Sequence, residues 1–102
     1  MDINFHWHNI EKSDALKDYA TKKLEKMFPL FNSVVGATVR FKTEHINQIC
    51  EFTVQGDGND YFASEKGEKD LYAAIDLVEQ KMLKQINRHK EKQEGKHHRE
   101  SI

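Results

Sequence analysis

Three segments of the chain alternate between apolar and polar residues, a pattern typical of β-strands that bury one face. The alternation covers residues 2–8, 34–42 and 48–55. Residues 56–60 (Gly-Asp-Gly-Asn-Asp) are turn formers, and a shorter strand is predicted after them at 61–64. The pattern therefore predicts four strands. The last three are joined by short loops and are expected to be antiparallel.

Two other segments repeat apolar residues at the spacing of an α-helix. The first is predicted over 14–28, because Ser13 can cap its N-terminus and Pro29 disfavours its continuation. The second is predicted to begin near Glu68 and to fray around 93–95. Its apolar stripe consists of Leu71, Ile75, Val78, Met82 and Ile86. Each helix thus has one apolar face to bury.

The order of these elements, β-α-β-β-β-α, restricts the fold. A right-handed crossover through the first helix makes the first two strands parallel. Each helix has a single apolar face, so the economical arrangement packs both on one side of one sheet. We predict an α+β domain over residues 1–94 with a four-stranded mixed sheet. Residues 95–102 lack an apolar pattern and are predicted to form a disordered basic tail.

The composition narrows the class of protein. The 102 residues suffice for one domain, and no apolar run approaches the ~20 residues that span a bilayer. The N-terminus lacks the basic-then-apolar order of a secretory signal. A single cysteine, Cys50, excludes an internal disulfide framework and fits a cytoplasmic protein.

The distribution of charge is more informative than the net charge of −1. Residues 12–42 carry seven Lys or Arg against three Asp or Glu, and residues 81–102 carry the same numbers. Residues 43–80 carry two against nine. A chain of this kind can present a basic face despite its total. The alternative is that these charges simply solvate exposed helix faces.

The second helix has the most suggestive basic pattern. Lys81, Lys84, Arg88 and Lys92 line one stripe about 16 Å long, since an α-helix rises 1.5 Å per residue. Lys90 lies off this stripe, toward its flank. Three lysines of the first helix, Lys22, Lys23 and Lys26, form a second basic patch. Side-by-side helices would let both patches border one groove suited to a phosphate backbone.

Catalytic and metal sites are poorly supported. His6 and His8 share a strand face, but no histidine has a partner Cys or carboxylate at a recognised ligand spacing. Cys50 falls on an apolar strand face and is predicted to be a packing residue. We therefore expect no enzyme activity, metal or cofactor. The alternative from this class is a small metal-dependent enzyme that uses His6, His8 and Cys50.

The second helix also carries a family resemblance. The segment Asp70-Leu-Tyr-Ala-Ala-Ile-Asp76, followed by Lys81-Met-Leu-Lys84-Gln-Ile-Asn-Arg88-His-Lys90, resembles short-form ribosome hibernation promoting factors. These are relatives of ribosome-associated inhibitor A, once called sigma-54 modulation proteins. Similar residues occur at Ile3-Asn-Phe5, Ser13-Asp-Ala-Leu16 and Lys23-Leu-Glu-Lys26-Met, so the resemblance covers about residues 1–92. One departure is Trp7, near where many members have a small residue.

The resemblance implies a fold similar to double-stranded RNA-binding domains and a protein that is monomeric when free. It implies binding to the small ribosomal subunit at the decoding region, where messenger RNA and the A- and P-site transfer RNAs would lie. Translation would then be silenced in stationary phase or stress, and ribosome dimers favoured alongside a ribosome modulation factor. RNA-facing positions of the family map onto Lys23, Lys26, Lys81, Lys84, Arg88 and Lys90, and we add Lys22 as their neighbour.

Two further functions remain open at this point. The chain could act like inhibitor A, blocking translation without promoting dimers. The tail after Gly95 is short and basic, which favours the dimer-promoting type. The chain could also be a general binder of double-stranded RNA. The short-form prediction includes the expectation that no C-terminal dimerisation domain follows.

Overall fold

The structure, a computed structural model, describes residues 2–100, with side chains up to residue 91. Its elements are β1 (Ile3–His8), α1 (Asp14–Met27), a short 3-10 helix (Phe28–Leu30), β2 (Val34–Glu44), β3 (Asn47–Gly56), β4 (Asn59–Gly67) and α2 (Leu71–Glu100). The order confirms the predicted β-α-β-β-β-α arrangement. The 3-10 helix follows α1 directly and has Pro29 in its first turn, as proline's fixed φ allows.

The four strands form one mixed sheet in the order β1-β2-β3-β4. β1 pairs with β2 in parallel, with Ile3 opposite Ala37, and the other two pairings are antiparallel. The prediction of a parallel first pair and an antiparallel meander is therefore confirmed. Both edge strands, β1 and β4, have one side free of strand pairing.

Both helices bury their apolar faces against the same side of the sheet. The sheet contributes every second residue of its strands to the core, including Val39, Phe41, Phe52 and Val54. The helices contribute Leu24 and Met27 from α1 and Ile75, Val78, Met82 and Ile86 from α2. Cys50 lies within this core, as predicted. Trp7 is also accommodated there, because its ring stacks on Phe41 with centroids 4.7 Å apart.

The turn between β3 and β4 is tighter than the five-residue loop predicted. It consists of Asp57 and Gly58, both with positive φ (53° and 77°), as a two-residue type I′ hairpin requires. The Asp57 carboxylate accepts hydrogen bonds from the backbone N–H groups of Asn32 (3.0 Å) and Ser33 (2.8 Å). The hairpin therefore also fixes the segment that leads into β2.

The start of α2 lies three residues after the predicted position, because β4 continues to Gly67 rather than ending at Ser64. Asp70 caps the helix, its Oδ1 accepting a hydrogen bond of 2.9 Å from the Ala73 N–H. Gly67 lets the strand approach the helix. A Cβ at this position would overlap the carbonyl oxygen of Asp70 and lie 2.8 Å from the nitrogen of Ala74.

The helix α2 continues to Glu100, past the point at 93–95 where the sequence predicts fraying. The Lys, Glu and Gln residues of this region are good helix formers, so the loss of apolar residues alone does not end the helix. Side chains from residue 92 onward lie outside those described. Disorder of the tail 95–102 therefore stays a prediction. Within the described part of the chain, no helix is long and apolar enough to cross a membrane.

Candidate nucleic-acid interface

A polar network joins α1 to one flank of α2. The Tyr19 hydroxyl donates a hydrogen bond of 2.6 Å to Asp76 Oδ1. The Lys23 ammonium, one turn further along α1, lies 3.6 Å from the same carboxylate and 3.4 Å from Glu79 Oε1. The Tyr19 ring packs edge-on against Tyr72, with centroids 5.2 Å apart. These contacts hold α1 against the flank of α2 that carries Asp76 and Glu79.

The network raises the pKa of two of its members. The hydrogen bond to Asp76, with smaller effects of burial and of that carboxylate's charge, raises the pKa of the Tyr19 hydroxyl. Partial burial alone would lower the pKa of Lys23. The charge of Glu79 and a hydrogen bond to it, with the charges of Tyr19 and Asp76, outweigh burial and raise that pKa. At neutral pH the tyrosine is therefore neutral and the lysine charged.

The other two predicted RNA-binding lysines of α1 are directed toward solvent. Lys22 and Lys26 are exposed and lie four residues apart, so they share one face of the helix. Neither forms an ion pair with a side chain that the structure describes. Together with Lys23 they border a shallow cavity. We call these three residues the α1 patch. Within it, Lys23 is the lysine that forms ion pairs with carboxylates of α2.

The other flank of α2 runs along the free edge of β4. The Gln85 amide donates a hydrogen bond of 2.7 Å to the Phe62 carbonyl, and the Lys81 ammonium donates one of 3.3 Å to the Ser64 carbonyl. The Lys81 ammonium also lies 3.4 Å from Glu65 Oε1. These side chains bond outward-facing carbonyls of the edge strand. They therefore place Lys81 beside the sheet rather than beside α1.

Lys84 and Arg88 follow Lys81 along α2 and are exposed. Neither forms an ion pair with any side chain in the described range. We call Lys81, Lys84 and Arg88 the α2 row. Lys92, predicted on the same stripe, lies outside the described side chains. Lys90 is half-buried and borders a cavity with Leu30 and Asn32. It lies on the opposite side of the helix from Lys81.

Lys81 lies on the flank of α2 opposite to α1, so this member of the α2 row does not border a groove with the α1 patch as expected. Glu79 faces α1 and Lys81 faces β4, although they are two residues apart. Successive residues of an α-helix are ~100° apart, so these two side chains point to nearly opposite sides. The outer ridge of α2 therefore stands between Lys81 and the α1 patch.

The open face of the sheet has three cations, of which carboxylates neutralise Arg40 and Lys42 but not the exposed Lys66. Arg40 Nη1 lies 3.8 Å and Lys42 Nζ 3.1 Å from the Glu51 carboxylate, and Lys42 also lies 3.8 Å from Glu44. His6 borders the same surface. Within the described residues, no group of three or more His, Cys, Asp or Glu is arranged to hold a metal ion. Among the described side chains, most of the unpaired cations therefore lie on the helical side.

The sequence did not reveal the network between the helices. Tyr19 falls at helical spacing among the apolar residues of α1, and Asp76 lies on the other helix. The two residues are 57 positions apart, and their contact exists because both helices pack on one side of the sheet. One feature of the sequence could have indicated such a contact. A tyrosine within an apolar stripe needs a hydrogen-bond partner when its hydroxyl is buried.

Comparisons with known proteins give the family. The sequence model of the family described as sigma 54 modulation protein / S30EA ribosomal protein matches residues 3–94. Proteins named ribosome hibernation promoting factor are similar over most of the chain. The one from Salmonella typhimurium is 35% identical over 92 residues, covering 90% of this chain and 96% of its own. The one from Azotobacter vinelandii is 34% identical over 93 residues, covering 91% and 86%.

Solved structures share the fold. A ribosomal subunit interface protein from Coxiella burnetii superposes with a TM-score of 0.80 at 23% identity, covering 88% of this chain and 98% of its own. The N-terminal domain of Thermus thermophilus Protein Y gives a TM-score of 0.76 at 29% identity, covering 87% and 99%. The relatives are hibernation factors rather than enzymes, as the sequence predicts for this chain. The chain belongs to the sigma 54 modulation protein / S30EA ribosomal protein family.

Proposed function

We propose that this protein is a ribosome hibernation factor that binds the small ribosomal subunit through its helical side. The observation that carries the proposal is the contrast between the two sides of the sheet. On the open face, Glu51 pairs with Arg40 and Lys42. On the helical side, four exposed cations have no ion-pair partner among the described side chains: Lys22, Lys26, Lys84 and Arg88. Unpaired cations attract the phosphates of ribosomal RNA. The names of the relatives support the same partner.

The predicted RNA-binding residues divide into three groups. The four free cations are proposed to contact phosphates directly. Lys81 and Lys90 are proposed to contact RNA from the flanks of α2, where each also contacts the protein itself. Lys23 is the least accessible of the set, because it pairs with Asp76 and Glu79.

The place of binding and its consequences rest on the family resemblance. We propose that the protein occupies the decoding region, at the mRNA channel and the A and P sites, and silences translation in the cytoplasm during stationary phase or stress. We further propose that it favours ribosome dimers alongside a ribosome modulation factor. Inhibitor-A-type blocking without dimers is the alternative outcome. A sucrose gradient of stationary-phase ribosomes with and without the protein separates the two.

Binding is tested by cosedimentation with purified small subunits. Lys84→Glu/Arg88→Glu reverses two free cations and is expected to abolish cosedimentation at physiological salt. Lys12→Glu/Lys69→Glu makes the same change in net charge at two exposed loop lysines and should retain most binding. Equal retention by both double variants would contradict the proposed surface.

A further inference from the structure

A small cavity lies at one end of the domain, where the 3-10 helix, the turn between β3 and β4, and α2 meet. Its volume is about 270 Å³, below the ~300–1,000 Å³ of pockets that hold drug-sized ligands. Its apolar walls are formed by Leu30, Phe31 and Ile86. The Asn59 amide lies 3.2 Å from His89 Nε2 and ties the turn to α2 beside the cavity. The cavity is therefore part of the fold, and it suits a small ligand or one residue of a larger one.

Tyr61 places an unpartnered hydroxyl in this cavity. The residue is only 7% exposed, and its ring packs against those of Phe31 and His89, with centroids 5.3 and 5.9 Å away. No other group in the described part of the chain hydrogen-bonds the hydroxyl, although that of a buried tyrosine usually has a partner. Every fully enclosed side-chain polar atom of that part has a partner, so this oxygen is open to the cavity. Its partner is therefore expected from a molecule that occupies the cavity.

Two charged residues, Asp57 and Lys90, border the same cavity. Asp57 Oδ1 accepts hydrogen bonds from the backbone N–H groups of Asn32 and Ser33, whereas Oδ2 accepts only the longer branch from Asn32, at 3.1 Å. A carboxylate oxygen has two lone pairs, so Oδ2 can accept a further hydrogen bond. Lys90 is half-buried and forms no ion pair with a side chain that the structure describes. The cation and the carboxylate do not pair with each other, so both are available to a ligand.

The charge of Asp57 acts on Tyr61. Burial, and to a smaller extent this charge, raises the pKa of the Tyr61 hydroxyl, which is therefore protonated at neutral pH and can both donate and accept. A nucleotide has complementary groups: a phosphate for the ammonium, an amino group on the base for the carboxylate, and a flat ring for the apolar walls. Unpaired bases of RNA are recognised by hydrogen bonds of this kind to their edges.

We propose that the cavity binds one unpaired nucleotide of ribosomal RNA. The phosphate contacts Lys90, and the base lies between the apolar walls. An amino group of the base donates a hydrogen bond to Asp57 Oδ2, and the base also hydrogen-bonds the Tyr61 hydroxyl. Adenine, guanine and cytosine carry such an amino group, and uracil does not. The inference rests on the proposed function and adds a site that reads a base to a surface that otherwise contacts phosphates.

The first test titrates isotope-labelled protein with the four ribonucleoside monophosphates and follows its amide signals by NMR. Saturable shifts are expected around the cavity, at Asn32, Gly58 and Lys90, with UMP the weakest ligand. Adenosine lacks only the phosphate of AMP, so the wild type should bind it less tightly than AMP, and Lys90→Gln should bind the two alike. If none of the four nucleotides shifts these signals, the cavity holds water only and the inference is wrong.

The second test is Tyr61→Phe, which removes the hydroxyl and keeps the ring. The hydroxyl has no partner within the described protein, so urea unfolding should match the wild type. Affinity for small subunits should fall about 2- to 10-fold, the value of one hydrogen bond. Its dependence on salt should not change, because no phosphate contact is removed. Tyr72→Phe removes the hydroxyl of an exposed tyrosine outside the cavity and is the matched control.

Wild-type affinity of Tyr61→Phe for small subunits would overturn the inference even if mononucleotides occupy the cavity, because the site would then serve free nucleotides. A loss of stability in this variant would also contradict it, since the hydroxyl would then have a structural partner. The proposed function is judged separately: if the wild-type protein binds and Lys84→Glu/Arg88→Glu does not, it stands whatever the result for Tyr61→Phe.

Discussion

Replacing Lys23 with methionine tests whether this lysine holds the two helices together or contacts RNA. Methionine keeps an unbranched side chain of similar length and removes the charge. The Lys23 side chain is 19% exposed and its partner Glu79 17%, so the variant leaves a mostly buried carboxylate without its cation. Exposed pairs contribute about 0–1 kcal/mol, and breaking a buried pair costs about 3–5 kcal/mol. We expect Lys23→Met to lower the free energy of unfolding by an amount between these ranges, about 1–2 kcal/mol.

A neighbouring variant shows whether the network acts as a unit. Tyr19→Phe removes the hydrogen bond to Asp76, and because that carboxylate is 45% exposed, water can replace part of it. The expected loss is about 1 kcal/mol, below the usual value for a charged acceptor. Both residues contact Asp76, so the double variant should depart from additivity by about 0.5 kcal/mol or more. Urea unfolding of the wild type, the two single variants and the double variant measures both losses of stability and the departure from additivity.

The RNA readout uses Lys26→Met as the matched control, three residues further along α1. Each lost phosphate contact should lower the slope of log affinity against log salt by about 0.7–0.9. Lys26→Met is expected to show that decrease for small-subunit binding, and Lys23→Met is expected to leave the slope unchanged. The reasoning is refuted if Lys23→Met unfolds at the wild-type urea concentration and lowers the slope as Lys26→Met does. Lys23 would then be a direct contact, as the family resemblance implies.

Three further predictions concern the stability and reactivity of the fold. Gly67→Ala should destabilise the protein by about 3 kcal/mol or more, because the added Cβ meets the backbone of Asp70; wild-type-like urea unfolding would contradict the close packing. Burial raises the pKa of the Cys50 thiol, so a thiol reagent at pH 8 should label it at the rate of unfolding, and rapid labelling of folded protein would show it accessible. The raised pKa values of Tyr19 and Lys23 mean that folding favours the neutral phenol and the charged ammonium. The stability that these two groups provide is therefore present below about pH 10 and is lost as pH rises through their folded pKa values. In urea unfolding, the free energy of unfolding of Tyr19→Phe/Lys23→Met should fall less between about pH 9 and 11 than that of the wild type.

The order of elements could be predicted because each strand alternates clearly and each helix has one apolar stripe. The parallel pairing of β1 with β2 follows from the handedness of the crossover, and the structure confirms it. The short turn at Asp57–Gly58 also has a known sequence signature, although its length was overestimated. These features depend on neighbouring residues, and local patterns report them well.

The end of β4 and the start of α2 could not be predicted from local pattern. Glu65 is a polar residue on the side of β4 that faces the helices, and it breaks the alternation that identified the strand. It is tolerated there because Lys81 of α2 lies 3.4 Å away. A partner 16 residues away in sequence thus decides the extent of the strand.

The candidate site was predicted by residue type and resemblance rather than by arrangement. The resemblance identified the cations, but the position of Lys81 on the flank of α2 away from α1 depends on how the helix packs on the sheet. The ion pairs of Lys23 with Asp76 and Glu79 likewise exist only in the packed structure. Residue identity therefore indicated a basic surface, and the three-dimensional contacts indicate which of its cations are available.

The central claim is that free cations on the helical side contact ribosomal RNA phosphates. Its most direct test is the salt dependence of small-subunit binding by Lys84→Gln/Arg88→Gln, beside the wild type and the control Lys12→Gln/Lys69→Gln. Removal of two contacts predicts a slope lower by about 1.4–1.8 for the first variant and little change for the control. Equal slopes for all three proteins would contradict the claim.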